Sequence, residues 1–430
     1  MKPRRVLIGL TEIAGYNASL KRGFEELGVP CTFLNQRAHP FRFGGDDAAC
    51  LPVRLQRWAN ARLDASTSLP VRALFYAIIQ ACNIPLFIRV LATHDVFIFG
   101  YGSTFLGYFD LPILRLFGKR IIYVFFGSDE RPPYLDGALM GPGKGRTVSE
   151  CIRLTARQKQ KIRRIERYAD LCVSHPASAH LHERPFVQWL AVGVPFSPPP
   201  DDAAPGREAS GSVRILHSPS DPEAKGSGII RSAIRELQEK GYAIEYVEIT
   251  NRPHAVVLEE LRRCDFVVDQ VYSDTPMAMF ATEVAAFGRP AVVGGYYADR
   301  IREAIPEDLI PPSLYCHPDR IAGAIELLVR DDALRADLGR RAQQYVRERW
   351  EPRRVAERYL RLIDGDVPGA WCCDPQAIRY LHGVGFSETH TRSLLRAVIA
   401  EGGIAALQVP DKPDLEDLFC EFARNGSSQI

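Results

Sequence analysis

Short β-rich apolar runs alternate with amphipathic segments twice along this chain, on either side of a stretch that fits neither class. That stretch is 196–212, FSPPPDDAAPGREASGS. Its three consecutive prolines, followed by acids, Gly and Ser, cannot continue a helix or a central strand, so it reads as a linker between two halves of similar size. In the first half, Arg5–Leu10, Thr32–Leu34, Asp95–Phe99, Arg120–Phe126 and Leu171–Ser174 read as strands, and Asn17–Leu27 as a helix closed by Gly28. The second half repeats the plan. Val213–His217, Ile244–Ile249, Asp265–Asp269 and Pro290–Val293 read as strands; Ile230, Ala233, Ile234 and Leu237 share one helix face, and Gly241 stops that helix.

Strands alternating with helices imply parallel sheets with right-handed crossovers. The expectation is an α/β chain of two Rossmann-like, doubly wound domains, residues 1–195 and 213–365, facing each other across a cleft. Ligands of such sheets lie at the carboxyl ends of the strands. A long helical segment, Pro318 to about Ile363, follows the last strand. Residues 366–430 read as a mainly helical extension, with helices over Pro375–Leu381 and Glu388–Glu401 split by Gly383–Gly385. It carries no motif: a cap, a partner-binding module and simple packing all fit.

Composition narrows the class. Hydrophobic residues make up 46% and charged residues 25% of the 430, which excludes a disordered or fibrous chain. Fifty-four Lys and Arg against 52 Asp and Glu leave a net charge of +2, giving no footprint for coating nucleic acid. The 10 cysteines form no CxxC pair and several lie in apolar runs, which reads as a reducing compartment, the cytoplasm. The vicinal Cys372-Cys373 reads as fortuitous. The apolar run at Val6–Leu10 is too short for a signal segment and reads as a first strand. The uncharged stretch Ala73–Ile88 falls short of a bilayer span; it is either a core helix or a helix lying on a membrane surface. Lys144–Arg167 carries 9 basic residues and 2 glutamates, either a solvated helix face or a contact for anionic lipid or polysaccharide.

Two segments carry the chemistry. In His217–Gly228, HSPSDPEAKGSG, a strand feeds a polar loop with Lys225 and Gly226 that opens a helix. The partial positive charge at a helix N-terminus, one Lys and two Gly suit a diphosphate; a plain βα loop capped by Ser227 is the other reading. In Cys264–Val293, a strand ends at Asp269-Gln270, and a loop runs into a helix carrying Glu283. That carboxylate suits the two hydroxyls of a ribose, or merely complements the helix dipole.

Together these segments resemble the C-terminal domain of GT-B glycosyltransferases, in particular the glycosyltransferase family 4 group. "HSPSDPEAKGS" resembles that group's HAPSD…KG(S/T) loop, and "CDFVVDQ…ATEVAAFGRPAVV" its aDivvDQ…EAMA.GkPVI segment. The resemblance is close over 213–295 and loose over the rest of 1–365. It implies a GT-B fold and transfer of a sugar from a nucleotide-sugar donor to an acceptor hydroxyl, with retention and no obligatory metal or other cofactor. It also implies a role in glycan, glycolipid or polysaccharide assembly; contact with the inner face of a membrane is the expectation that Ala73–Ile88 and the basic run carry. Lys225 would contact the diphosphate, with Ser218, Ser220, Gly226 and Ser227 beside it. Glu283 would hold the ribose, the segment around Glu248–Thr250 would lie near the base, and Gln270 and Thr275 are further donor-side candidates. Lys225 and helix N-termini would neutralise the departing diphosphate.

The chain departs from the pattern twice. The first Glu of the EX7E motif falls at Thr275, beside Asp274. "YVFFGSDERPP" resembles the family's HGSDIR loop, but the usual His is Phe126. These departures favour a second reading, a non-catalytic nucleotide-sugar-binding or scaffold protein. On the acceptor side the candidates are Gly15 and Tyr16, Gly100 and Tyr101, and Phe126, Gly127, Ser128, Asp129 and Arg131, with Asp129 a catalytic candidate. Asp129 and Arg131 are either cleft residues or a local surface pair. His180 and His182 with Glu183 read as surface or interface histidines, because no third metal ligand is in view.

Overall fold

The structure is a computed structural model that describes residues 4–36, 51–196 and 211–424; most of the expected linker lies outside them. Strands β1 (Val6–Leu10), β2 (Cys31–Asn35), β3 (Val96–Gly100), β4 (Arg120–Val124), β5 (Leu171–Ser174) and β6 (Phe186–Gln188) belong to one sheet. Strands β7 (Val213–His217), β8 (Ile244–Glu248), β9 (Phe266–Val268), β10 (Ala291–Gly294) and β11 (Leu314–Cys316) form the other. All of these pair in parallel. The first sheet runs β2-β1-β3-β4-β5-β6 and the second β8-β7-β9-β10-β11, so each reverses direction between its first and third strands. This is the GT-B arrangement expected, and each reversal opens a crevice at the carboxyl edge. The central strands are continuous apolar runs because helices cover both faces; β1 and β3 are buried throughout. Strands β6 and β11, three residues each, were not among the expected strands.

The segment expected as one long helix from Pro318 is broken. Asp331 caps a new helix by accepting the Leu334 amide at 2.8 Å, and Pro352 opens another, Pro352–Asp364. This last helix crosses back to the first unit. Its Tyr359 hydroxyl lies 2.8 Å from that of Tyr16, and a Cβ at Gly23 would stand 2.0 Å from the Pro352 carbonyl oxygen. The chain therefore leaves the second unit before residue 365.

The tail joins both units. Cys372–Cys373, β12, adds an antiparallel edge strand to β6, so the vicinal cysteines sit in the first sheet. Only Pro375–Ala377 of the first expected tail helix forms a helical turn, whereas Glu388–Gly402 is helical and packs on the helix Val148–Tyr168. The Gly137 amide donates to Val384 O at 2.7 Å in the first unit, and the Gly385 amide to Tyr272 O at 3.1 Å in the second. The His382 ring stacks on Tyr296 with centroids 4.5 Å apart.

Candidate functional site

The reversal point of the second sheet lies between the ends of β7 and β9. His217, the last residue of β7, donates from Nδ1 to Val268 O at 2.7 Å, which leaves Nε2 to accept from the Ser227 hydroxyl at 2.8 Å. Burial lowers its pKa, so this imidazole is a neutral tie between strands and helix. Ser227 is thereby fully buried and its hydroxyl engaged, which takes it out of direct phosphate contact. The amides of Lys225, Gly226 and Ser227 bond to the carbonyls of Asp221, Glu223 and Pro222. The loop therefore offers an ammonium group rather than a nest of free amides. Lys225 Nζ stands 3.0 Å from Asp269 Oδ1; Asp269 Oδ2 is buried with no partner among the described residues.

Gly226 holds that ammonium in place. It has φ +72° at the start of the helix Ser227–Glu239, and a Cβ there would meet Val271 Cγ2 at 2.7 Å. Gly226→Val combines a left-handed backbone with this clash. It is expected to cost about 1–3 kcal/mol, read as a lower midpoint of thermal unfolding, and to weaken nucleotide binding by moving Lys225.

Glu283 lies in the short helix Met279–Ala286, buried, with Oε1 2.7 Å from His254 Nε2. Burial raises its pKa and the bond from His254 opposes that rise. Glu248 Oε2 accepts the Tyr246 hydroxyl at 2.9 Å, Ser218 donates to Ile249 O at 3.2 Å, and Ser220 is exposed.

Opposite, the loop after β4 folds on itself. Asp129 Oδ1 accepts the Phe126 amide at 2.8 Å, so Asp129 shapes this loop. Burial and neighbouring Glu130 push its carboxyl up to about 6, against the pull of Lys161. Arg131 is buried and forms an ion pair with Asp274 of the other unit, while its second nitrogen lies 3.5 Å from Asp136. The local surface pair with Asp129 is thus replaced by a bridge across the cleft. Burial would raise the Asp274 pKa, but Arg131 outweighs it and holds the carboxyl below its ordinary range. The Gln158 amide donates to Arg131 O at 2.8 Å, and buried Lys159 donates to Leu181 O at 3.0 Å. The basic helix is therefore not simply a solvated face: its inner side supports this loop.

Between the units lies a cavity of about 330 Å³. Of the expected residues, Tyr16, Phe126, Gly127, Ser128 and Arg131 line it from one side, and Lys225, Gln270 and Thr275 from the other. Gly15, Gly100, Tyr101, Asp129, Ser218, Ser220, Gly226, Ser227, Glu248 and Glu283 stand outside its wall. The Tyr16 ring packs edge-on to Phe126 at 5.1 Å and its hydroxyl is taken by Tyr359, so Tyr16 offers the cavity only apolar surface. Gly15 starts the helix Tyr16–Glu26, whose first amides are capped by Glu12: its carboxylate accepts from Ile13, Asn17 and Ala18 at 2.8, 3.1 and 3.0 Å. A carboxylate already sits where an anion would bind in this first loop.

His175 lines the cavity and was missed in the sequence. It directly follows β5, so the rule that ligands gather at strand carboxyl ends points to it. Its Nδ1 accepts the Ala177 amide at 3.2 Å, which places the proton on Nε2; that nitrogen is buried without a partner among the described residues. Burial lowers its pKa, so it is a neutral donor. It returns an imidazole to a cleft where Phe126 had removed one.

Behind His175 lies a polar network. Glu130 accepts from Ser178 at 2.7 Å and from His182 Nε2 at 2.9 Å, and His182 Nδ1 is 2.9 Å from Glu166. Contrary to the surface expectation, His180 and His182 are fully buried. Burial pushes His180 down to about 4, with Nε2 bonded to Tyr380 O at 2.7 Å. Burial opposes charge on His182 too, but the two glutamates prevail and push it up to about 9. A pKa raised on folding gives stability fully present below the unfolded value of about 6.5 and lost as pH rises. Stability should therefore fall between about pH 6.5 and pH 9, and His182→Gln should flatten that limb in denaturation measured across this range.

No protein-family model matches the chain, and no curated protein matches it. Solved structures of similar fold include the glycosyltransferase SnogD from Streptomyces nogalater, at 14% identity over 84% of this chain and 100% of that one, TM-score 0.41. Anabaena Alr3699/HepE in complex with UDP is 9% identical over 84% of this chain and 100% of that one, TM-score 0.45. S. aureus MnaA with UDP is 12% identical over 85% of this chain and 98% of that one, TM-score 0.42.

Proposed function

We propose that this chain is a glycosyltransferase that moves a sugar from a nucleotide-sugar donor to an acceptor hydroxyl. The observation that carries the reading is the cavity between two facing carboxyl edges, which sets Lys225 of one unit opposite Arg131 and His175 of the other. Lys225 leaves Asp269 for the donor diphosphate and offsets the charge that grows as the anomeric C–O bond breaks. His175 Nε2–H donates to the donor sugar or to the departing phosphate oxygen. The acceptor hydroxyl attacks the anomeric carbon from the side of Ser128 and Phe126, and its proton passes to the departing phosphate. Retention, independence from metal and a place in glycan or polysaccharide assembly belong to this proposal through the family resemblance.

The Arg131–Asp274 bridge favours a second reading, a binding protein with a closed sugar end, since Asp274 is occupied and Thr275 stands where an acid is expected. Incubation with UDP-, GDP-, dTDP-, ADP- and CDP-sugars separates the two. Release of free nucleoside diphosphate from one donor supports transfer; binding without release supports the second reading.

A further inference from the structure

The helices Leu51–Ala65 and Leu69–Thr93 form a hairpin on the first sheet. Its inner side is fixed. Asn83 Oδ1 accepts from Gln36 and Gln56 at 2.8 and 2.7 Å, Arg57 donates to Asn35 O at 3.0 Å, and Leu86, Phe87 and Val90 are buried against the sheet. Its outer side is open. Leu74, Ala77, Ala81, Ile84 and Ile88 recur at helical spacing and are all exposed, with Leu74 at 59%, Ile84 at 53% and Ile88 at 60%. Leu51 and Leu55 are exposed on one stripe of the first helix of the hairpin, and Leu69 and Tyr76 are exposed where the second begins. The core-helix reading of Ala73–Ile88 holds for the inner side alone.

We propose that this hairpin docks on an anionic bilayer. The charge says what covers the face. Residues 51–93 hold five arginines and one aspartate, while the whole chain carries +2; Arg57 is tied to the inner side, and Arg54, Arg62, Arg72 and Arg89 are exposed. Trp58 is 47% exposed, with the Arg62 guanidinium 5.8 Å above its ring and Phe75 edge-on at 5.3 Å. An apolar face flanked by arginines and half-exposed aromatic rings suits the boundary between headgroups and acyl chains. Leu69–Thr93 is long and apolar enough to cross a membrane, but its inner contacts hold it against β2, so it lies on the bilayer. Those contacts are at Asn35 and Gln36, the carboxyl end of β2, and the cavity opens at the carboxyl ends of neighbouring strands of that sheet. Docking therefore sets the acceptor side of the cleft at the membrane surface. That last clause rests on the proposed transfer and makes the acceptor a lipid-linked hydroxyl.

The test is sedimentation of the full chain with vesicles of phosphatidylcholine alone and of phosphatidylcholine mixed with phosphatidylglycerol. The expected result is binding stronger on the anionic vesicles by about tenfold or more, weakened by salt. The variant Leu74→Glu/Ile84→Glu/Ile88→Glu should lose it while keeping the parent's melting temperature. Absent binding, or equal binding by parent and variant, overturns the proposal. So does a parent dimer that the variant dissolves with no vesicle binding, which would assign the face to a second copy. Nucleotide binding is measured beside it: vesicle binding without nucleotide binding refutes the transferase reading alone, and the reverse refutes this one alone.

Discussion

Replacing Arg131 by Met is expected to destabilise the chain by about 3–5 kcal/mol. The substitution keeps the length of the side chain and removes its charge. Asp274 then stays buried without the partner that keeps it ionised, and Asp136 loses its neighbour at 3.5 Å. The pH dependence follows from the same pair. A carboxyl held low in the folded state gives stability present above the unfolded value of about 3.9 and lost as pH falls below it. In Arg131→Met burial loses its largest opponent and Asp274 rises, so the deficit is largest near neutrality and shrinks in acid. Denaturation of parent and variant across pH checks this. Arg131→Met/Asp274→Leu should recover much of the loss, because it removes both charges of the pair; an unrecovered double variant would place the loss in other contacts of Arg131, such as Asp136, and not in a stranded Asp274.

Lys225→Ala is expected to weaken nucleoside diphosphate binding by about 10- to 100-fold, the worth of one charge-assisted hydrogen bond to phosphate. The substitution has a second effect that the sequence did not suggest. It strands Asp269, whose carboxylate is buried and whose other oxygen already lacks a partner among the described residues. Lys225→Met/Asp269→Asn separates the two: it should bind as weakly as Lys225→Ala while melting nearer to the parent. Calorimetric titration with the nucleotide that the parent prefers reads the difference. Unchanged affinity in both variants would remove Lys225 from the site.

The parallel sheets were legible because buried strands are continuous apolar runs and helices between them keep an apolar face, as with Ile230, Ala233, Ile234 and Leu237. What escaped was long-range. The crossing of Pro352–Asp364 to the first unit depends on where Gly23 leaves room, which no local pattern shows. The partner of Arg131 is 143 residues away. Within the site, Lys225 and the loop after β4 were readable from strand–loop–helix order. His175 obeys the same rule but belongs to no motif, since the motif's histidine position is held by Phe126. Ser227, Asp129 and Tyr16 are the opposite case. Each has the right residue type in the right loop, but the Ser227 hydroxyl, one Asp129 oxygen and the Tyr16 hydroxyl are engaged by His217, the Phe126 amide and Tyr359. Side-chain satisfaction of this kind depends on three-dimensional neighbours.

The central claim is that the cleft is built for a nucleotide-sugar. The most direct measurement is thermal unfolding of the full chain with UDP, GDP, dTDP, ADP and CDP in turn, with Lys225→Met/Asp269→Asn as control. A nucleotide at about 100 times its dissociation constant adds about 2.7 kcal/mol of stability. The expected result is a raised midpoint with one of the five, absent from the control. Midpoints that none of them moves, or that move equally in the control, would contradict the assignment of this cleft to a nucleotide-sugar.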